Sequence, residues 1–210
     1  MPEKIDPPLL ARACRTLRRR DPRLGEVIRR VGACGMQATG DPYRALLRSV
    51  IYQQLAGAAA AAIAARVRAL FGGRYPAPAR LLAAPSADLR AAGLSRQKIA
   101  ALRAVARAFD DRSLSNRRLY RMQADEVVAA VTAVKGIGEW TAHMLLMFSL
   151  ARPDVLPVGD YGVRKAAREL YGLDSLPKPG ELETIAGPWQ PYRSVACWYL
   201  WRHADTTTPS

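Results

Sequence analysis

Apolar residues recur at intervals of three and four along almost the whole chain, while the alternating β-branched and aromatic runs that mark strands are missing. The pattern predicts an all-α protein. Helices are expected over 6–20, 23–31, 43–54, 58–71, 96–109, 125–134, 139–150, 160–171 and 191–202. Local chemistry punctuates them. Asp21-Pro22 restarts the chain after a strongly basic helix. Asp41-Pro42 sets an N-cap carboxylate before a proline in the first turn. Pro85-Ser86-Ala87-Asp88 reads as a helix start with Ser86 as its cap. Loops are expected over 32–40, at Pro76 and Pro78, over 152–159 and over 177–180, and Gln53-Gln54-Leu55-Ala56-Gly57 interrupts the helical pattern. No internal repeat and no low-complexity linker appear. The expected organisation is one unit of two helical lobes over 1–203, followed by a frayed polar tail over 204–210.

Composition narrows the class. Of 210 residues, 50 % are hydrophobic, enough for a buried core. Lys and Arg number 32 against 18 Asp and Glu, a net charge of +14 that points to a polyanion or an anionic surface as partner. The excess is almost all arginine, whose planar fork suits phosphate oxygens. No apolar run is long enough for a transmembrane helix. Met1-Pro2-Glu3-Lys4 opens without an apolar signal core, which argues against export. Cys14, Cys34 and Cys197 are far apart and fit no zinc, iron–sulfur or disulfide spacing; small buried thiols in a reducing cytoplasm are expected.

The sharpest local feature is Val134-Lys135-Gly136-Ile137-Gly138-Glu139-Trp140-Thr141-Ala142. Two glycines around one apolar residue permit a tight hairpin with positive φ. Ile137 can then plug the space between two helices, and backbone N–H groups at a helix N-terminus face outward toward a phosphate. Gly-x-Gly is common, so the spacing alone leaves an ordinary helix–turn–helix joint equally open. Further on comes Leu156-Pro157-Val158-Gly159-Asp160-Tyr161-Gly162-Val163-Arg164-Lys165. Together the two stretches resemble the helix-hairpin-helix DNA glycosylase superfamily, in which a Gly/Pro-rich loop after the hairpin ends in one catalytic Asp. Within it, the DNA-3-methyladenine glycosylase II type is most similar. Ser49-Val50-Ile51-Tyr52-Gln53-Gln54-Leu55, Gly93-Leu94-Ser95-Arg96-Gln97-Lys98 and Trp189-Gln190-Pro191-Tyr192-Arg193-Ser194 add to the likeness, which spans roughly 21–201, with the motif over about 125–150.

The resemblance implies a two-lobed helical glycosylase fold and a monofunctional enzyme of base excision repair. It would hydrolyse the N-glycosidic bond of alkylated bases, of the 3-methyladenine and 7-methylguanine type, flipped out of duplex DNA. Asp160 is the implied catalytic residue. A lone carboxylate in a poorly hydrated site stabilises the positive charge that builds on the sugar and orients the attacking water. N-capping the helix that follows is its alternative role, compatible with the first. An alkylated purine leaves readily, so an aromatic pocket suffices in place of a strong general acid; each ring is worth about 0.5–2 kcal/mol toward a cationic base. Trp140, Tyr161, Trp201 and Met144 are the implied pocket residues, with core packing as the plain alternative for the aromatics; Trp189 and Trp198 read as core. Leu55 or Gln54 is the implied wedge that fills the gap left by the extracted nucleotide, against a buried helix-end position for Leu55. Lys135, Gly136, Ile137, Gly138, Thr141, Arg96 and Lys98 are assigned to DNA phosphates. Carbonyls of Thr132, Val134 and Ile137 are implied ligands of a structural Na+ or K+, and no organic cofactor is expected. The arginines between Arg12 and Arg30 read as a solvated face.

Three departures from the family pattern matter. Lys135 stands where a Pro usually opens the hairpin. Met144 stands where a pocket aromatic often follows. Trp140 stands where strand-nicking relatives carry a Schiff-base Lys, which predicts glycosylase chemistry without lyase chemistry. The chain resembles the compact form that lacks an N-terminal α+β domain, and the cysteine count leaves no place for the iron–sulfur cluster of some relatives. The expected partner is double-stranded DNA containing alkylated bases, met by a monomer in the cytoplasm at the bacterial nucleoid, with no membrane. Two alternatives remain open: a glycosylase for oxidised or mismatched bases, and a DNA-binding hairpin module without catalysis.

Overall fold

The structure, a computed structural model, describes residues 4–55 and 57–207. Among these residues all regular structure is helical. The chain divides into two compact units, Met1–Ala38 with Leu146–Ser210, and Thr39–Leu145. No helix among the described residues is long and apolar enough to cross a membrane.

The first unit holds α1 (Pro7–Arg20), α2 (Pro22–Val31), α11 (Tyr161–Tyr171), α12 (Pro179–Ile185), a 3-10 turn (Gly187–Trp189) and α13 (Arg193–Thr207). Its core is Leu17, Leu24, Val163, Ala166, Trp189, Val195 and Tyr199, all under a hundredth exposed. The second unit holds α3 (Pro42–Tyr52), α4 (Gly57–Ala69), α5 (Pro78–Ala83), α6 (Ser86–Ala91), α7 (Arg96–Asp110), α8 (Asn116–Arg121), α9 (Ala124–Thr132) and most of α10 (Glu139–Phe148). There α3 and α5 pack on α7 through buried Leu46, Val50, Leu81, Leu102 and Val105.

Three helices begin with the same two residues. In α1, α2 and α3 an Asp accepts the N–H three residues on, at 2.7, 3.0 and 3.2 Å, and a Pro fills the first turn. Proline loses nothing there, because that N–H has no intrahelical carbonyl. Pro78 does the same for α5, a helix where the sequence suggests a loop. The expected Ser86 cap is corrected: Ser86 already lies inside α6, Pro85 precedes it, and no side chain caps that start. At the other end α13 runs to Thr207, beyond Arg202 and into the stretch expected to fray. The rest of that tail, residues 208–210, lies outside the described residues, as do Met1, Pro2, Glu3 and Ala56.

The arginines between Arg12 and Arg30 are exposed, as a solvated face requires. Several of them also clasp the C-terminal part of the first unit. Arg12 donates to the Tyr192 hydroxyl at 3.0 Å, Arg23 to the Tyr171 carbonyl at 2.7 Å, and Arg20 to the Gln190 carbonyl. Arg30 meets His203 Nδ1. The free thiols are less uniformly buried than expected: Cys197 is buried, while Cys14 and Cys34 are half-buried. Desolvation still pushes the Cys34 thiol up to about 12, far from thiolate reactivity.

Candidate active site

Asp160 sits at the start of α11, directly after a turn over 158–159 that its own N–H closes on the Pro157 carbonyl at 2.9 Å. Its side chain is only 8 % exposed. Oδ1 accepts the Val163 N–H at 2.7 Å, the same N-cap bond that starts α1 to α3. Oδ1 also accepts the indole N–H of Trp201 at 2.9 Å, from α13. Trp201 in turn packs against Phe148, ring centroids 5.8 Å apart. The carboxylate is therefore held on two sides within the first unit. Tyr161, the next residue, is 65 % exposed, so core packing does not explain it. Trp189 is fully buried, as its core reading requires, and Trp198 is half-buried, edge-on to Tyr199.

The hairpin lies in the second unit. Thr132 ends α9, and Ile137 N–H closes the turn on the Val134 carbonyl at 3.0 Å. Ile137 is buried, whereas Lys135, Gly136 and Gly138 are exposed. Only one of the two glycines uses positive φ: Gly136 has φ +89°, and Gly138 does not lie in that region. Gly136 is also demanded by space, since a Cβ there would stand 2.6 Å from Ala101 Cβ on α7. Gly136→Ala is therefore expected to cost about 2–4 kcal/mol, from overpacking plus a left-handed alanine. Thermal melting of Gly136→Ala and of Gly136→Ala/Ala101→Gly checks this. The second glycine should restore part of the loss, and a wild-type melt for the single variant would contradict the packing account.

After Gly138 the first turn of α10 presents N–H groups that a helix start leaves without intrahelical carbonyls. Trp140 stands in this turn, 46 % exposed, and Met144 follows it half-buried. The Thr141 side chain is buried and its hydroxyl accepts from Gln53 Nε2 at 3.5 Å, so its backbone is the part left for a phosphate. His143 is mostly buried, which lowers its pKa against the raising effect of Glu139, and favours the neutral imidazole at pH 7.

The interrupted stretch after α3 is packed on this hairpin. Gln53 Nε2 also donates to the Gly136 carbonyl, at 3.3 Å. Gln54 adopts φ +56°, a left-handed conformation that costs a non-glycine about 1 kcal/mol, and it turns the loop tip outward. Leu55 is 38 % exposed, which removes the buried helix-end reading. Lys98 has a structural partner. Its ammonium donates to the Ile51 carbonyl near the end of α3, and desolvation lowers its pKa. It thus caps α3 and braces the loop in addition to any phosphate contact. Arg96, at the first position of α7, is exposed.

Two features of one chain, a glycine hairpin between helices and a buried carboxylate capping a later helix, define a class that the comparisons make explicit. The chain belongs to the HhH-GPD superfamily of base excision DNA repair proteins, which it matches over residues 47–191. DNA-3-methyladenine glycosylase 1 of Schizosaccharomyces pombe is 35 % identical over 174 residues, 80 % of this chain and 76 % of that protein. The crystal structure of a DNA-3-methyladenine glycosidase from Bacillus halodurans superposes with TM-score 0.84 at 38 % identity, covering 92 % of this chain and 89 % of that one. The Schizosaccharomyces pombe 3-methyladenine DNA glycosylase in complex with abasic DNA gives 0.83 at 32 %, covering 91 % and 95 %.

The sequence located Asp160 but not its brace. The Trp201 N–H bond joins positions 41 apart, and no local pattern signals it. The same holds for Gln53 and Gly136, 83 apart.

Proposed function

We propose that this protein is a monofunctional DNA glycosylase that removes alkylated purines from duplex DNA, with Asp160 as its catalytic residue. The observation that carries the reading is a buried carboxylate that accepts two neutral donors, the Val163 N–H and the Trp201 indole N–H. A carboxylate in such a site is suited to stabilising a cationic sugar.

In this mechanism the hairpin and the α10 N-terminus hold backbone phosphates, with Lys135 adding a point charge. Leu55 and Gln54, on the outward-turned loop, fill the vacated stack. The exposed ring of Trp140, with Met144, and the rings of Tyr161 and Trp201 are assigned to contact with the extracted base. The bond between C1′ and the base nitrogen then breaks, and its electron pair leaves with the base, cancelling the positive charge that alkylation put there. The sugar is left as an oxocarbenium-like cation facing Asp160. Water adds to C1′, its proton passes to the carboxylate and on to solvent, and an abasic site remains. Trp140 offers no amine for a Schiff base, so the strand stays intact.

Thr132, Val134 and Ile137 supply neutral, hard carbonyl oxygens of the kind that suits Na+ or K+; Val134 keeps a second lone pair beyond its bond to Ile137. A cation held there would add positive charge beside a phosphate. In this reading the enzyme acts as a monomer, without an organic cofactor, in the cytoplasm.

Chromatography of the bases released from globally methylated DNA tests the assignment. Free 3-methyladenine and 7-methylguanine, with abasic but unbroken strands, are expected. Release of 8-oxoguanine in their place, from oxidised DNA, would favour an oxidised-base enzyme, and tight binding without release would favour a non-catalytic module.

A further inference from the structure

We propose that Trp201 and Gly162 form a positioning unit that sets the orientation of the Asp160 carboxylate, and that Gly162 is required because any side chain there would displace the Trp201 donor. The inference rests on the reading of Asp160 as catalytic.

A carboxylate held by one N-cap bond can still swing about that bond. The Val163 N–H fixes Oδ1 to the start of α11, but it does not fix the plane of the group. The second donor does. Trp201 Nε1 reaches the same Oδ1 at 2.9 Å from a different helix. An indole has a single N–H and no acceptor, so its one bond goes to Asp160. Phe148, 5.8 Å away between centroids, braces the ring. Two donors from two helices on one oxygen restrict the rotation of the carboxylate that the mechanism assigns to the sugar.

Gly162 is the second residue of α11, and its φ is not positive. Neither a turn nor a left-handed backbone calls for glycine, and glycine weakens a helix relative to alanine. What calls for it is space. A Cβ at this position would lie 3.0 Å from Trp201 Cδ1, 3.2 Å from Trp201 Nε1 and 3.2 Å from Asp160 Oδ1. All three contacts are to the two atoms of the bond or to the carbon next to the donor. Gly138, by contrast, would meet nothing within 4 Å. The missing side chain at 162 is therefore the gap through which the indole reaches the carboxylate.

The test uses the full chain and a duplex carrying one 7-methylguanine, and measures the single-turnover release rate and the Kd separately. Trp201→Phe keeps an aromatic ring and removes the N–H. Its release rate should fall about 10- to 100-fold, the worth of one hydrogen bond to a charged group, while Kd stays within about threefold. Gly162→Ala should lower the rate in the same selective way. The double variant should be no slower than Trp201→Phe alone, because the donor that the alanine displaces is already gone. A purely stacking role for Trp201 would instead weaken binding and leave the release rate of Trp201→Phe near wild type, which overturns the proposal. Should Trp201→Phe fail to fold, Gly162→Ala decides by itself: a wild-type release rate refutes the unit. Asp160→Asn run in parallel separates the two readings. If it still releases base, the catalytic assignment fails. If it is inactive while Trp201→Phe and Gly162→Ala release base at the wild-type rate, only the positioning unit fails.

Discussion

Asp160→Asn is expected to yield a folded, DNA-binding protein whose release of alkylated base has fallen by roughly 10³-fold or more. The substitution is mild for the fold. Asn caps helices about as well as Asp. Its amide oxygen can keep both bonds now made by Oδ1, from the Val163 N–H and the Trp201 indole. What disappears is the negative charge, and with it the one group assigned to steady the cationic sugar and receive the proton of water. The melting temperature should stay within about 4 °C of wild type, since a change in this range corresponds to about 1 kcal/mol for a chain of this size. A variant that melts far lower would mean that the carboxylate itself holds the fold, and the activity loss would then say little about chemistry.

The largest stability effect is expected at the other buried aspartate. Asp21 is 7 % exposed and connects three elements of the first unit. Oδ1 caps α2 through the Leu24 N–H at 3.0 Å. Oδ2 accepts the Trp189 indole N–H at 2.8 Å and the Tyr171 hydroxyl. Burial, and next the bond to Asp21, raise the pKa of that hydroxyl, so it remains a donor throughout the physiological range. Asp21→Ala removes the cap and strands the buried Trp189 donor and the half-buried Tyr171 hydroxyl, at a cost of about 3–5 kcal/mol. For this length that is roughly a 10 °C fall in melting temperature. Asp21→Asn retains acceptor oxygen and should lose much less. An alanine variant melting with wild type would show that water or neighbouring groups satisfy both donors.

How much of this was legible in the sequence depended on the range of the interaction. Asp41-Pro42 announces a helix because cap and proline act within one turn, and Asp21-Pro22 marks a restart for the same reason. Ile137 between two glycines could be read as a plug because the hairpin is local. Helices α5, α8 and α12 escaped the pattern: six or seven residues barely complete two turns, too few for a 3.6 period to stand out. Asp21 looked like punctuation only, since its partners lie 150 and 168 positions away. The sequence assigns Lys98 to a phosphate but gives no sign that its ammonium also bonds a helix-end carbonyl 47 positions earlier. The arginines of α1 and α2 read correctly as an exposed face, but charge along a helix says nothing of a carbonyl brought alongside by tertiary packing. The site followed the same division. The residue type and position of Asp160 were readable from its motif, whereas the indole that orients it belongs to the fold.

Everything claimed for function passes through the charge on one side chain, so the most direct measurement takes binding and chemistry apart at that position. Wild type and Asp160→Asn are each titrated onto the same duplex containing a single 7-methylguanine, and free base is then followed at saturating enzyme. The account predicts Kd values that agree within about threefold and release by wild type alone. Release by the asparagine protein at a rate near that of wild type would contradict it.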